Sequence, residues 1–270
     1  MNKKKIRIFI IIIFIAAIVC FLINMRNSKI KSVSEYFWGE IDENMNYLVK
    51  KYNQTAVIDD YTVTLDSAIF DDKTETIYGR FIVSKKDSKV EANIYSDNCL
   101  RSGFGENDRF SLRVNADIGG EGDIYGKYDG NNLIIYCKFQ YLCEDIDDTH
   151  EIYLSDGKTE KITYENSAAK FLLEPTSKAI KICGGSTKVI YLSPVAVKIT
   201  SKSAIYPNTI EICYKNGKTE KILDVKEGMF TGNEGLSCTS IEYTKVIGTP
   251  YLIDVEQVEG IIYNGEKYMR

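Results

Sequence analysis

The 270-residue chain carries 34 lysine and arginine residues against 38 aspartate and glutamate residues, a formal net charge of −4. Five of the basic residues lie within the first 26 positions, so the rest of the chain has 29 basic residues against all 38 acidic ones, a net charge of −9. This balance argues against a function based on bulk attraction to nucleic acid or to an anionic lipid surface.

The first predicted element is an apolar run of sixteen uncharged residues, from Ile8 to Ile23, preceded by a basic stretch. A helix rises about 1.5 Å per residue and a hydrocarbon core is about 30 Å thick, so the run, extended to Met25, is just long enough to span a membrane. Because positive charge precedes the run and a long polar chain follows it, we expect a cytoplasmic stub (1–7), a transmembrane helix (8–25) and an extracytoplasmic remainder.

A cleaved signal peptide is the alternative, because its basic start is the same. The apolar run is long for a signal core, however, and the residues from Phe21 to Met25 offer no small-x-small cleavage site. Val19 is also unsuited to precede a lipoprotein cysteine at Cys20. The sequence therefore favours a retained anchor and a single-pass protein of the cell membrane.

A helical pattern follows over 32–52, where apolar residues recur at steps of three and four. The stripe consists of Val33, Phe37, Ile41, Met45, Leu48 and Tyr52. We expect this juxtamembrane amphipathic helix to pack on the β structure that follows. The alternative is that its face contacts a partner protein through Val33, Phe37, Ile41 and Met45.

From Asn53 onward the hydrophobic period changes to two, which is typical of β-strands. Alternating patterns run through segments such as 61–69 and 133–143, and turn-forming Asx-Gly pairs occur at positions 156, 216 and 264. No long helical pattern separates these segments, which argues against parallel βαβ units. The predicted fold class is mainly β, with the two helices followed by two antiparallel immunoglobulin-like β-sandwich domains, 53–166 and 167–270.

Residues suited to catalysis are few and scattered. His150 is the only histidine, and no nucleophile motif accompanies it, so a Ser–His–Asp triad is not indicated. The acidic pairs at 59–60, 71–72 and 147–148 fall where turns are expected, and their spacing does not match a calcium loop. We therefore expect a protein that is not an enzyme, with no catalytic residue, no cofactor and no metal site.

The cysteines leave two states open. Cys20 falls in the predicted anchor, and six others follow it: Cys99, Cys137, Cys143, Cys183, Cys213 and Cys238. Six cysteines permit three disulfides, but each predicted domain holds three, so they cannot all pair within their own domains. Cys137, Cys183 and Cys213 stand in apolar strand patterns, which favours buried free thiols. The sequence contains no C-x-x-C pair, so a zinc site is not indicated.

Three stretches give the sequence a family resemblance. Positions 37–44 read F-W-x-E-I-x-E-N, positions 59–74 read D-x-Y-T-V-T-L-D-S-A-I-F-D-D-K-T, and positions 191–197 read Y-L-S-P-V-A-V. In this order they resemble the extracytoplasmic region of Gram-positive membrane proteins of the anti-sigma-factor-like kind, a domain family of unknown function. The resemblance covers most of 36–270 and implies immunoglobulin-like domains without catalytic residues. The cytoplasmic part that would bind a sigma factor has no counterpart in 1–7, so the resemblance supports location and fold rather than sigma-factor binding.

These patterns together predict a membrane-anchored, non-catalytic binding, sensing or scaffold module at the cell surface. Its expected partners are another membrane protein or a cell-wall ligand, and not nucleic acid. The alternative is an accessory subunit of a membrane anti-sigma-type signalling complex. An envelope-acting enzyme that uses exposed carboxylates is disfavoured because His150 stands alone.

Overall fold

The structure, a computed structural model, describes residues 30–39, 42–58, 60–92, 111–114, 120–141, 150–155, 168–184, 188–203, 205, 207–224, 234–238 and 243–270. The predicted stub (1–7) and the predicted transmembrane helix (8–25) lie outside these ranges. Among the residues described, no helix has the length and apolar character needed to cross a bilayer. The described chain is mainly β with antiparallel strand pairing, as the sequence predicts.

The first sheet pair comprises strands β1 to β8. Five of these strands form one sheet in the order β1-β2-β3-β6-β5, and three form another in the order β4-β7-β8. The bounds are β1 Lys50–Ile58, β2 Tyr61–Asp71, β3 Thr76–Lys85, β4 Ser111–Val114, β5 Gly120–Asp129, β6 Asn132–Tyr141, β7 His150–Ser155 and β8 Ala168–Leu173. Apolar side chains of both sheets, among them Val63, Phe81, Leu133, Ile152 and Phe171, meet in one hydrophobic cluster, which we call the first core.

The second sheet pair comprises strands β9 to β17. Five of them form a sheet in the order β14-β15-β11-β10-β9, and four form a sheet in the order β13-β12-β16-β17. The bounds are β9 Ile180–Gly184, β10 Lys188–Leu192, β11 Ala196–Ser201, β12 Thr209–Tyr214, β13 Thr219–Asp224, β14 Glu234–Cys238, β15 Tyr243–Gly248, β16 Val258–Tyr263 and β17 Glu266–Met269. Side chains of both sheets, such as Ile190, Val197, Ile212, Ile247 and Ile261, form the second core.

An irregularity in β2 decides which of its side chains enter the first core. The register between β2 and β3 shifts between Leu65 and Ser67, and such a bulge reverses the alternation of the side chains that follow it. Leu65 belongs to the first core before the bulge, and Ala68 and Phe70 belong to it after the bulge. Ile69 therefore lies on the opposite face, although an unbroken period of two predicts it on the face of Leu65.

Two short helices precede β1 where the apolar stripe predicts one helix over 32–52. The α-helix α1 spans Val33–Trp38, and a 3₁₀ helix spans Glu43–Leu48. Gly39, with φ of 79°, ends α1, and strand pairing with β2 begins at Lys50. The predicted single helix is therefore wrong in its extent, because a glycine ends the α-helix and β pairing takes over its last residues.

The end of the first sheet pair also differs from the predicted boundary between 166 and 167. Strand β8 pairs with β7, and its residues Ala169 and Phe171 belong to the first core. The chain therefore passes to the second sheet pair only after Leu173. Nearer the C terminus, the predicted hairpin at Asn264–Gly265 is present as β16 and β17, with positive φ at both turn residues.

Candidate functional site

A third hydrophobic core lies between the two sheet pairs, and we call it the seam. In the part of the chain that is described, two of its buried residues come from the first sheet pair, three from the second and three from the helices that precede β1. They are Ile69 and Tyr78, then Val195, Ala196 and Val246, and finally Val33, Met45 and Leu48. Because the seam ties all three regions together, Ser32–Arg270 forms one compact unit.

Aromatic side chains attach α1 to both sheet pairs. The ring of Trp38 packs on that of Tyr78, with centroids 4.4 Å apart, and its indole N–H donates to the carbonyl oxygen of Thr249 at 3.0 Å. Two residues earlier in α1, Tyr36 stacks on Tyr136, with centroids 3.9 Å apart and ring planes within 4° of parallel. Such contacts contribute about 0.5–1.5 kcal/mol each beyond the area they bury, so α1 is held by specific geometry as well as by burial.

A buried polar cluster lies at the turn between β2 and β3. The carboxylate of Asp71, which is fully buried, accepts hydrogen bonds from the Thr74 N–H at 2.7 Å, the Thr74 hydroxyl at 2.8 Å and the Ser177 hydroxyl at 2.5 Å. Burial raises the pKa of Asp71 above its usual value, although the hydrogen bonds from Ser177 and Thr74 oppose this shift. The Thr74 hydroxyl also lies 3.3 Å from that of Ser193 in the second sheet pair. The carboxylate is thus used to fix the turn against the rest of the fold.

Charged groups cross the same boundary. The Lys198 ammonium of β11 pairs with the Glu75 carboxylate at 2.8 Å, and both side chains are largely buried. Lys138 of β6 approaches Gly248 of β15 so closely that a Cβ atom at Gly248 would lie 2.8 Å from the Lys138 Nζ. Burial lowers the pKa of Lys138. The absence of a side chain at Gly248 is therefore what permits this approach between the sheet pairs.

The connection between the sheet pairs, residues 174–179, is tied to the first pair by hydrogen bonds. The Thr176 N–H donates to the Phe70 carbonyl oxygen at 2.8 Å, and the Thr176 hydroxyl accepts from the Phe70 N–H at 3.0 Å. At its start the Tyr52 hydroxyl donates to the carbonyl oxygen of Glu174 at 3.0 Å and accepts from its N–H at 3.1 Å. The connection is consequently a fixed part of the fold and not a free tether.

The structure locates three of the four residues of the predicted partner face. Val33 and Met45 are buried in the seam, and Phe37 packs against it while partly exposed. Ile41 lies outside the described residues. The side chains of Val33 and Met45 contact the chain's own sheets in this structure, as expected for a segment that packs on the β structure. In this arrangement the two side chains are not accessible to another protein.

Among the described residues, the acidic side chains considered for catalysis take structural roles. The backbone of His150 begins β7 and pairs with Leu173, and the pair at 147–148 lies outside the described residues. Asp60 forms an ion pair with Lys85 at 2.6 Å. The buried Asp71 instead fixes the turn between β2 and β3. Within the part of the chain that is described, no group of three or more His, Cys, Asp or Glu side chains could hold a metal ion.

Two cysteines are described with their side chains, and both are free and buried: Cys137 in the first core and Cys213 in β12. Burial raises the pKa of the Cys137 thiol to about 12, so that it is protonated at neutral pH and inert as a nucleophile. These two residues agree with the interpretation of buried thiols. Cys99 and Cys143, and the side chains of Cys183 and Cys238, lie outside the described part of the chain.

Pattern reasoning did not find the half of the seam that the second sheet pair supplies. Its signal is the run Val195-Ala196-Val197, in which adjacent apolar residues replace alternation. Such a run is expected where both faces of a strand are buried. In the structure Val197 enters the second core, whereas Val195 and Ala196 enter the seam.

No protein-family model and no curated protein matches this sequence. Among solved structures, the chain is similar to one described as the crystal structure of the conserved domain protein from Bacillus anthracis. The identity is 12% and the TM-score is 0.44, over 86% of this chain and 83% of that chain. A similarity at this level does not indicate a function.

Proposed function

We propose that this chain is a single-pass membrane-anchored extracytoplasmic protein whose two sheet pairs act together as a non-catalytic binding, sensing or scaffold module at the cell surface. The observation that carries the proposal is the seam, because it fixes the residues that follow the predicted anchor to both sheet pairs at once. A chain built in this way displays both sheet pairs in a fixed relation to the segment that follows the predicted membrane helix.

The chemistry of the seam supports a role in display and binding. Beside the seam, the buried carboxylate of Asp71 is used to fix a turn, and the ion pair between Glu75 and Lys198 fixes the sheet pairs to each other. We further propose that each sheet pair is an immunoglobulin-like sandwich. Its support is that two antiparallel sheets share one core in each half of the chain.

Membrane anchoring is tested by fractionating cells that produce the full chain. In one variant Ile12→Asp and Ile15→Asp place two charges in the apolar run, and the matched control carries Ile12→Leu and Ile15→Leu. We expect the wild type and the control to resist alkaline extraction from membranes and to be cleaved by protease added outside intact cells, and the charged variant to be extracted. A wild type that is soluble, or that external protease does not reach, contradicts the proposal.

The kind of partner is tested by crosslinking the intact protein in its native membrane and identifying the products by mass spectrometry. A wall polymer, or no attached protein, supports a surface binding module. A membrane regulator attached through residues 32–48 instead supports the accessory signalling subunit. An attached cytoplasmic protein contradicts the proposed orientation.

A further inference from the structure

We infer that Ser32–Leu48 is a strap, a segment that locks the two sheet pairs to each other and whose displacement opens the seam while the first and second cores stay folded. This inference concerns the fold of 32–270 and goes beyond the proposed function, since it does not depend on membrane anchoring.

The strap depends on the seam for its structure. Its α-helix has six residues, Val33–Trp38, and isolated helices shorter than about 12 residues are marginal in water even with good sequences. A capping box between Ser32 and Glu35 stabilises the start of α1, but a cap contributes only about 1 kcal/mol. The strap is therefore ordered mainly by burying Val33 and Leu48, and loses its helices when it leaves the seam.

The seam in turn depends on the strap. Direct polar contacts between the sheet pairs include the hydroxyl pair of Ser193 with Thr74 and the ion pair of Glu75 with Lys198. The strap supplies three of the eight described residues that are buried in the seam, and Trp38 donates its bridging hydrogen bond to the second sheet pair. Without the strap, the apolar faces of β2 and β3 that carry Ile69 and Tyr78 lose much of their cover.

Each sheet pair has a hydrophobic core of its own. The first and second cores are separate hydrophobic clusters built within β1–β8 and within β9–β17. Proteins open locally in cooperative units, and the units with fewer buried apolar contacts open first. Among the described residues the seam has eight buried ones, against nineteen in the first core and fourteen in the second, so the seam is the unit expected to open at the lowest free energy. Opening would also uncover Val33 and Met45, the two predicted partner residues that are buried here.

The test is hydrogen–deuterium exchange with mass spectrometry on the detergent-solubilised full chain. The mild variant Met45→Ala removes a buried strap side chain, and the control Asn46→Ala changes its exposed neighbour. Val33→Asp is a stronger variant that places a charge in the seam. We expect Met45→Ala to speed exchange about tenfold or more in peptides covering the strap, Asp71–Thr76 and Ser193–Ala196, while peptides from β6 and β16 keep wild-type protection.

Two results overturn the inference. One is wild-type exchange at Asp71–Thr76 and Ser193–Ala196 in both Met45→Ala and Val33→Asp, which would mean that the strap does not hold the seam. The other is an equal rise in β6, β16 and the seam of Met45→Ala, which would mean that all three cores open as one unit. We expect the control Asn46→Ala to leave the seam peptides unchanged, because its side chain is exposed.

Discussion

Leu48→Ala gives the clearest measure of how much the seam contributes to stability. Leu48 is fully buried at the end of the 3₁₀ helix, and its side chain lies in the seam and in neither of the other cores. Truncating a buried leucine to alanine removes transfer free energy and leaves a cavity, which together cost about 2–5 kcal/mol. Because about 1.4 kcal/mol changes an equilibrium tenfold, we expect the opening or unfolding equilibrium to shift by at least tenfold.

Urea titration of the detergent-solubilised full chain is a suitable assay, with far-UV circular dichroism for the sheets and fluorescence of Trp38, the single tryptophan, for the seam. The matched control is Tyr47→Ala, since Tyr47 precedes Leu48 in the same 3₁₀ helix but is 64% exposed. The control is expected to change the free energy of unfolding by less than about 0.5 kcal/mol. Equal midpoints for Leu48→Ala and Tyr47→Ala on the fluorescence signal would refute the reasoning.

Three further changes test other parts of the structure. Gly248→Ala places a Cβ atom 2.8 Å from the Lys138 Nζ and 2.9 Å from the Tyr78 hydroxyl oxygen. Because Tyr78 is buried, we expect this crowding to cost about 1 kcal/mol; an unchanged melting temperature would contradict that cost and mean that both side-chain ends move aside freely. Because burial raises the pKa of Asp71 in the folded chain, the folded state holds that proton more tightly than the unfolded state, so stability falls as pH rises from about 4 through the raised pKa. Asp71→Asn should remove this fall in denaturation curves measured across that range, and an identical pH dependence in the variant would show that Asp71 is not its source. The Cys137 thiol, with its pKa raised to about 12, should resist iodoacetamide at pH 8 until denaturant is added, and mass-spectrometric mapping that finds it alkylated in the folded chain would contradict its burial.

Composition and periodicity predict a mainly β, antiparallel chain because alternate side chains of the longer strands are buried. In β6 the residues Leu133, Ile135, Cys137 and Phe139 share one face, as the period of two requires, and all four enter the first core. The antiparallel pairing follows from the turn residues and from the lack of helical patterns between strands. Sequence reasoning of this kind succeeds where local alternation and tertiary burial agree.

It fails where tertiary contacts override the local pattern. Strand β5, Gly120–Asp129, begins with the glycine-rich stretch G-E-G-D-I-Y-G, whose composition favours a loop. The strand nevertheless pairs with β6 along its whole length. Ile69 changes face because of the bulge after Leu65. The alternation of apolar and polar residues does not indicate where a bulge occurs. The seam is least accessible to prediction, since Trp38 and Thr249 meet across 211 positions in the chain.

The segment before β1 is fixed to the second sheet pair, and the indole N–H of Trp38 reports on this contact most directly. Because the chain has one tryptophan, selective ¹⁵N-tryptophan labelling gives a single indole signal in the NMR spectrum of the detergent-solubilised full chain. The hydrogen bond to the Thr249 carbonyl oxygen predicts slow exchange of this proton with water, and faster exchange in Met45→Ala. An indole proton that exchanges as fast as that of free tryptophan in the wild type would contradict the claim.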